Sequence, residues 1–182
     1  MDVVIRPARI DETGLLADVE RDGDRRYAGY DGVPAGFDDV ASLSSLEDAG
    51  GEGRLWVAVV SSGGTAGDEP DDGRIIGFVM AEMVDGLAHM AQVSVRLAFQ
   101  GNGLGRRLIQ TVCDWARKRA LAGVTLCTFG DVEWNRPLYG HLGFVVVPEE
   151  QWTPGLRAEI EADGELGLDL ERRVVMRRGL DD

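Results

Sequence analysis

The stretch Gln100-Gly101-Asn102-Gly103-Leu104-Gly105-Arg106-Arg107 combines residue types and spacing that could do chemistry. Three glycines at alternate positions leave main-chain N–H groups uncovered and let a ligand come close. An apolar helical pattern starts at Leu104, and the first turn of a helix adds unpaired N–H donors and the positive end of its dipole. Such a junction suits a phosphate or a diphosphate, and Arg106 and Arg107 add positive charge. The same glycines would also serve a tight strand-to-helix turn with no ligand. A P-loop is excluded, because the chain lacks GxxxxGK[ST]. The dinucleotide pattern GxGxxG fails as well, since Arg106 stands where its third glycine would be.

The residues after the turn carry a second pattern, Trp134-Asn135-Arg136-Pro137-Leu138-Tyr139-Gly140-His141-Leu142-Gly143-Phe144. Gln100, Gly103 and Gly105 resemble the (Arg/Gln)-x-x-Gly-x-(Gly/Ala) signature of GNAT acetyltransferases, and Gln92-Val93-Ser94-Val95 precedes it as a strand ending in small and apolar residues. The later stretch is similar to that family's Leu-Tyr-x-x-Leu-Gly-Phe. The resemblance covers Arg74–Val147. It implies an α/β (α+β) GNAT fold, with a single mixed, largely antiparallel sheet of six to seven strands flanked by helices. It also implies an acyltransferase, an N-acetyltransferase with acetyl-CoA as cosubstrate and no metal. Val93, Ser94 and Val95 would hold the pantetheine arm by strand-like hydrogen bonds. Gly101, Asn102, Gly103, Leu104, Gly105 and Arg106 would hold the diphosphate, with Gln100 orienting the turn.

Acetyl transfer from a thioester to an amine needs a neutral nitrogen, donors for an oxyanion and an acid for the departing thiolate. The resemblance places Tyr139 as that acid; a phenol, pKa about 10, stays protonated at neutral pH. Tyr139 could instead pack its short helix on the sheet. The N–H of Val95 would serve the oxyanion. Neutralising an alkylammonium at pH 7 costs about 4 kcal/mol, so a base must help. His89 shares a strand face with Ala91, Val93 and Val95 and lies near the position of a base glutamate in related histone acetyltransferases. It could equally be a packed histidine, and Glu82, Asp131 and Glu133 compete with it. Asn135 stands four residues before Tyr139, whereas many members have their Asn seven before, where this chain has Val132. It would contact the cofactor, or cap a helix ahead of Pro137.

The elements that must position these groups follow from periodicity and turn residues. Val3–Arg6 reads as a strand, and Asp11 as the cap of a helix through Leu15, Leu16 and Val19. Residues 22–36 form an irregular segment with Tyr27 and Tyr30. A helix runs from Asp38 or Asp39 to Ala49, closed by Gly50-Gly51. Leu55–Val60 and Arg74–Val84 are strands around a flexible loop, Ser61–Gly73, and Asp85-Gly86 turns the chain into a strand over Leu87–Val95. A long helix covers Leu104–Ala122, closed by Gly123. Then come a strand Val124–Phe129, a short helix Pro137–Leu142, a strand Phe144–Val147, a helix Pro154–Ala162 and a strand Arg173–Arg177. One domain over 1–182 is expected.

Tyr27, Tyr30, Phe37, Trp134 and Trp152, with Glu20, Asp22 and Asp24 nearby, could cradle the ammonium of a small-molecule or peptide amine. Cys113 and Cys127 have no metal-ligand spacing with each other or with His89 and His141, so reduced thiols are expected. A net charge of −13 disfavours nucleic acid and anionic membrane as partners. No apolar run reaches the ~18 residues of a membrane span and no secretory signal is recognisable, so a cytoplasmic location is expected. Strand-edge pairing would allow a homodimer. The rival functions are an acyl-CoA-binding or sensing module, and a transferase for another acyl-CoA.

Overall fold

The computed structural model describes residues 2–34, 36–38, 40–61 and 74–180. The expected Ser61–Gly73 loop falls outside them, apart from the backbone of Ser61, which ends a strand. Two compact units emerge, Met1–Arg26 with Val40–Ala81 and Gln92–Ile109, and Tyr27–Asp39 with Glu82–Ala91 and Gln110–Asp182.

The first unit holds β1 (Asp2–Pro7), α1 (Leu16–Asp24), α2 (Leu43–Gly51) and β2 (Leu55–Ser61). It also holds most of β3 (Ile75–Val84), the end of β4 (Leu87–Val95) and the first turns of α3 (Leu104–Lys118). β1 and β2 pair antiparallel from Asp2↔Ser61 to Pro7↔Trp56, and β2 pairs antiparallel with β3 across a shift at Ala58/Val59. Leu16, Val19, Leu46, Ala49, Leu55, Val57, Phe78 and Met80 form its core. Asp11 does not cap the first helix. A 3-10 turn, Ile10–Leu15, precedes α1, and the Glu12 carboxylate reaches back to the Arg9 N–H at 2.8 Å. Glu12 is buried against Arg6 at 2.6 Å, so an ion pair fixes this start more firmly than an exposed Asp11 could. α2 begins later than expected, because Ser42 accepts the Ser45 N–H at 3.1 Å. It closes at Gly53 (φ +67), with the Arg54 N–H on Ala49 O at 2.7 Å, rather than at Gly50-Gly51.

The second unit holds β5 (Gly123–Phe129), α4 (Asn135–His141), β6 (Val145–Val146), α5 (Pro154–Glu165) and β7 (Arg173–Gly179), with the start of β4 and the rest of α3. β4 runs parallel to β5 through Ala88↔Val124 and His89↔Thr125. β7 lies antiparallel to both β5 and β6. Gly123 starts β5 instead of ending α3. A Cβ there would stand 2.8 Å from Arg178 O, so close strand pairing requires the glycine. α3 stops at Lys118, and Ala120 takes the left-handed turn (φ +54) while the Leu121 N–H bonds Ala116 O at 3.1 Å.

Among the described residues the strands number seven and the α-helices five, and the sheet order is β1-β2-β3-β4-β5-β7-β6. This is the mixed, largely antiparallel α/β sheet expected from the sequence. Asp85 (φ +47) and Gly86 (φ +79) both adopt positive φ, as the predicted two-residue hairpin turn demands.

Candidate functional site

In the first unit, the end of β4 and the start of α3 bring Val93, Ser94, Val95 and Gln100–Arg106 into one structure. Gly101 and Gly103 hold φ near +77 and +76, a conformation that side chains resist, and open space surrounds both. Gly105 faces open space too. The turn therefore presents bare backbone at the first turn of a fifteen-residue helix. Gln100 braces it from beneath, its Nε2 donating to Val95 O at 2.8 Å and Gly23 O at 3.1 Å. Asn102 Nδ2 donates to Gln100 O at 3.2 Å, so its side chain shapes the turn. Arg106 is exposed, whereas Arg107 reaches Val3 O at 2.7 Å.

The end of β4 is held in part by two glycines the sequence reading did not single out. A Cβ on Gly23 would meet Val95 O at 2.8 Å, and one on Gly77 would meet Ser94 O at 2.9 Å. Both glycines permit backbone-close packing, a need that local sequence does not reveal. Glu20 and Asp22 serve the same framework. Glu20 accepts from Gln92 and from the Ala41 N–H, and Asp22 accepts from the Leu97 N–H at 2.9 Å. Asp24 differs, since burial pushes its carboxyl up to about 6.

In the second unit, Tyr139 sits on α4, buried, with its ring edge-on to Phe144 at 6.0 Å. Burial raises its phenol above the ordinary range, against a smaller opposing hydrogen bond from Thr128, so it remains a proton donor. Asn135 does not cap α4. Trp134 is the cap residue, and the buried Asn135 amide faces the Tyr27 hydroxyl at 3.4–3.5 Å. Tyr27, Tyr30, Phe129 and Trp134 form an aromatic cluster with centroids 4.9–6.3 Å apart. Asp131 accepts from Tyr30 at 2.5 Å and from Arg172 at 3.0 Å. The tyrosine bond, first among the causes, holds that carboxyl below its ordinary value and makes Asp131 a poorer base. Trp152 lies apart from the aromatic cluster in what the structure records of its contacts. It packs on Leu156, Ile160 and Val175 and donates to Val147 O at 2.9 Å.

His89 is 2% exposed, its Nδ1 3.0 Å from Thr125 Oγ1 and its Nε2 3.9 Å from Glu159 Oε2. Burial, aided by Arg173, lowers its pKa to about 4, so the ring is neutral at pH 7. Thr125 and Thr128 lie three apart on β5 and face opposite sides of the strand. His89 and Tyr139 thus engage opposite faces of β5. Neither threonine nor Glu159 stood out from the sequence. The alternation of β5 was the available signal, and it does not say which helix covers each face. Both cysteines are free, and burial keeps the Cys127 thiol up at about 12. No cluster of three metal-ligating residues occurs among the described residues, and no helix there is long and apolar enough to cross a membrane.

A sequence model described as the acetyltransferase (GNAT) family matches residues 38–144, more than half of the chain. Among solved structures, the chain resembles an acetyltransferase of the GNAT family from Staphylococcus aureus Mu50, at a TM-score of 0.72 and 14% identity over 99% of this chain and 100% of that one. It also resembles the PaiA N-acetyltransferase from Thermoplasma acidophilum in complex with coenzyme A, at 0.66 and 13% over 98% and 99%. A third similar structure is the ribosomal-protein-S18-alanine N-acetyltransferase from Escherichia coli, at 0.65 and 16% over 100% and 96%.

Proposed function

The chain belongs to the acetyltransferase (GNAT) family, and from that premise we propose that it moves an acetyl group from acetyl-CoA to a primary amine of a small molecule or peptide. The observation that carries this reading is the bare, left-handed Gly101–Gly103 turn opening onto the start of α3. Those N–H groups suit the diphosphate of coenzyme A, with Arg106 adding charge and Gln100 bracing the turn. The end of β4, Val93 to Val95, offers backbone to the pantetheine arm. Asn135, one helical turn before Tyr139, would be a further cofactor contact.

The reaction is direct attack. The neutral nitrogen adds to the thioester carbonyl carbon, the Val95 N–H meets the oxyanion, the C–S bond breaks, and the thiolate takes the Tyr139 proton. The buried, protonated Tyr139 phenol supports the acid role. The test is an acceptor screen that follows free CoA thiol release. Thiol release that depends on an amine is the expected result. Binding of acetyl-CoA without release across a broad panel contradicts it and favours a sensing module, and release from another acyl-CoA alone changes the donor.

A further inference from the structure

α4 carries Tyr139 but is seven residues long, too short to hold its place by its own hydrogen bonds. Its far end is closed locally: Gly143 takes positive φ (+83), and the Phe144 N–H bonds Tyr139 O at 3.0 Å. Its start is not closed in this way. Trp134, the cap residue, makes no capping hydrogen bond, because an indole has no acceptor to offer. The hold comes from another segment. The Tyr27 ring packs 6.0 Å from that of Trp134, and its hydroxyl lies 3.5 Å from Asn135 Oδ1 and 3.4 Å from Nδ2. A hydroxyl both donates and accepts, so one phenol engages both ends of the amide. Asn135 and Tyr139 stand one turn apart on the same face of α4.

The segment that carries Tyr27 is held in turn by a clasp around Arg172, in the 3-10 turn before β7. The two terminal nitrogens of Arg172 donate to Asp31 at 2.9 and 3.2 Å. Nη1 also donates to Asp131 at 3.0 Å, and Nε to Asp169 at 3.0 Å. Tyr30 donates to the same Asp131, lies under the guanidinium at 5.6 Å and meets Phe129 edge-on at 4.9 Å. The Asp169 N–H adds a bond to Gly32 O at 3.2 Å. All of these residues lie in the second unit. The clasp is open to solvent, with 78% of the Asp31 side chain exposed. Exposed ion pairs add little stability, but a planar fork that meets three carboxylates fixes a direction.

Resting on the acetyl transfer proposed above, with Tyr139 as its acid, we infer that Tyr27 is a positioning residue that anchors the start of α4 and so sets the Tyr139 hydroxyl, while Arg172 holds the Tyr27 segment in place. Neither residue gives or takes a proton in the reaction. Both act through α4, so their effect belongs to kcat and depends on the Tyr139 hydroxyl.

The experiment measures kcat and acetyl-CoA affinity in wild type, Tyr27→Phe, Arg172→Gln and Arg157→Gln, and repeats the first two substitutions in a Tyr139→Phe background. Tyr27→Phe keeps the ring packing and removes only the hydroxyl. It should lower kcat about 10-fold while acetyl-CoA affinity stays within about 3-fold of wild type. Arg172→Gln should lower kcat by about 3-fold or more, again with affinity retained. Arg157→Gln, which removes a different exposed ion pair, with Glu149, should change neither. In the Tyr139→Phe background, Tyr27→Phe and Arg172→Gln should each lower kcat by less than about 2-fold, because the hydroxyl they position is gone. Wild-type kcat in Tyr27→Phe overturns the inference, as does an undiminished loss in the Tyr139→Phe background. Wild-type kcat in a folded Arg172→Gln overturns the role of the clasp; if that variant does not fold, Tyr27→Phe decides alone. Unchanged kcat in Tyr139→Phe removes the acid and this inference with it. Those results require wild-type turnover, so they leave acetyl transfer itself standing. Absence of wild-type thiol release with every amine overturns both.

Discussion

A phenol buried beside Phe144 and a histidine buried beside Thr125 are shifted in opposite directions by the same cause. Burial raises the Tyr139 phenol, which keeps a proton ready for a thiolate, and lowers His89 to about 4, which keeps the imidazole neutral. Tyr139→Phe should therefore lower kcat about 10²-fold or more while acetyl-CoA affinity changes less than about 3-fold, by steady-state kinetics and calorimetry; unchanged kcat would remove the acid role. His89 also predicts a stability profile. Its pKa is lower folded than unfolded, so its contribution is present above about 6.5 and is lost as pH falls through about 4. Thermal melts of His89→Gln should show a shallower decline of Tm between those values than wild type; equal slopes would contradict it. Residue types and spacing made the left-handed glycine turn legible. They did not reveal the approach of Glu159 to His89, because it joins α5 to β4, elements far apart in the chain.

At the scale of elements, boundaries set by local chemistry were legible and those set by distant partners were not. Asp85-Gly86 supplies two left-handed residues of its own, and β4 occupies the predicted Leu87–Val95 span. The end of α3 was misplaced because Ala120, a residue that resists positive φ, takes the turn. Gly123, the residue that looked like the stop, is needed by the Arg178 backbone. The same logic explains Gly23, whose missing side chain lets α1 lie against Val95 O at the end of β4. Gly23→Val should push that carbonyl away and weaken acetyl-CoA binding about 10-fold or more. Calorimetry on the folded variant checks it, and wild-type affinity would contradict the supporting role of α1.

For the whole molecule, β3, β4 and α3 each contribute residues to both compact units. Unfolding one unit alone would break three elements partway along their length. We therefore propose a single domain and expect one thermal transition, with matching calorimetric and van't Hoff enthalpies. Two separable transitions would contradict it. The two sequence patterns, in order and flanked by the right elements, made the family legible, while spacing did not foretell that Tyr27, Tyr30 and Trp134 cluster with Phe129, and the acceptor is left to the screen. The central claim is that exposed main-chain amides at the start of α3 hold the diphosphate of the coenzyme. Its most direct test is calorimetric titration of coenzyme A, and of pantetheine lacking the diphosphate, into wild type and Gly103→Val. The account predicts coenzyme A affinity in the micromolar range, at least 10-fold weaker in the variant, with pantetheine affinity equal in both proteins. Coenzyme A binding that is absent, or identical in the two proteins, would contradict it.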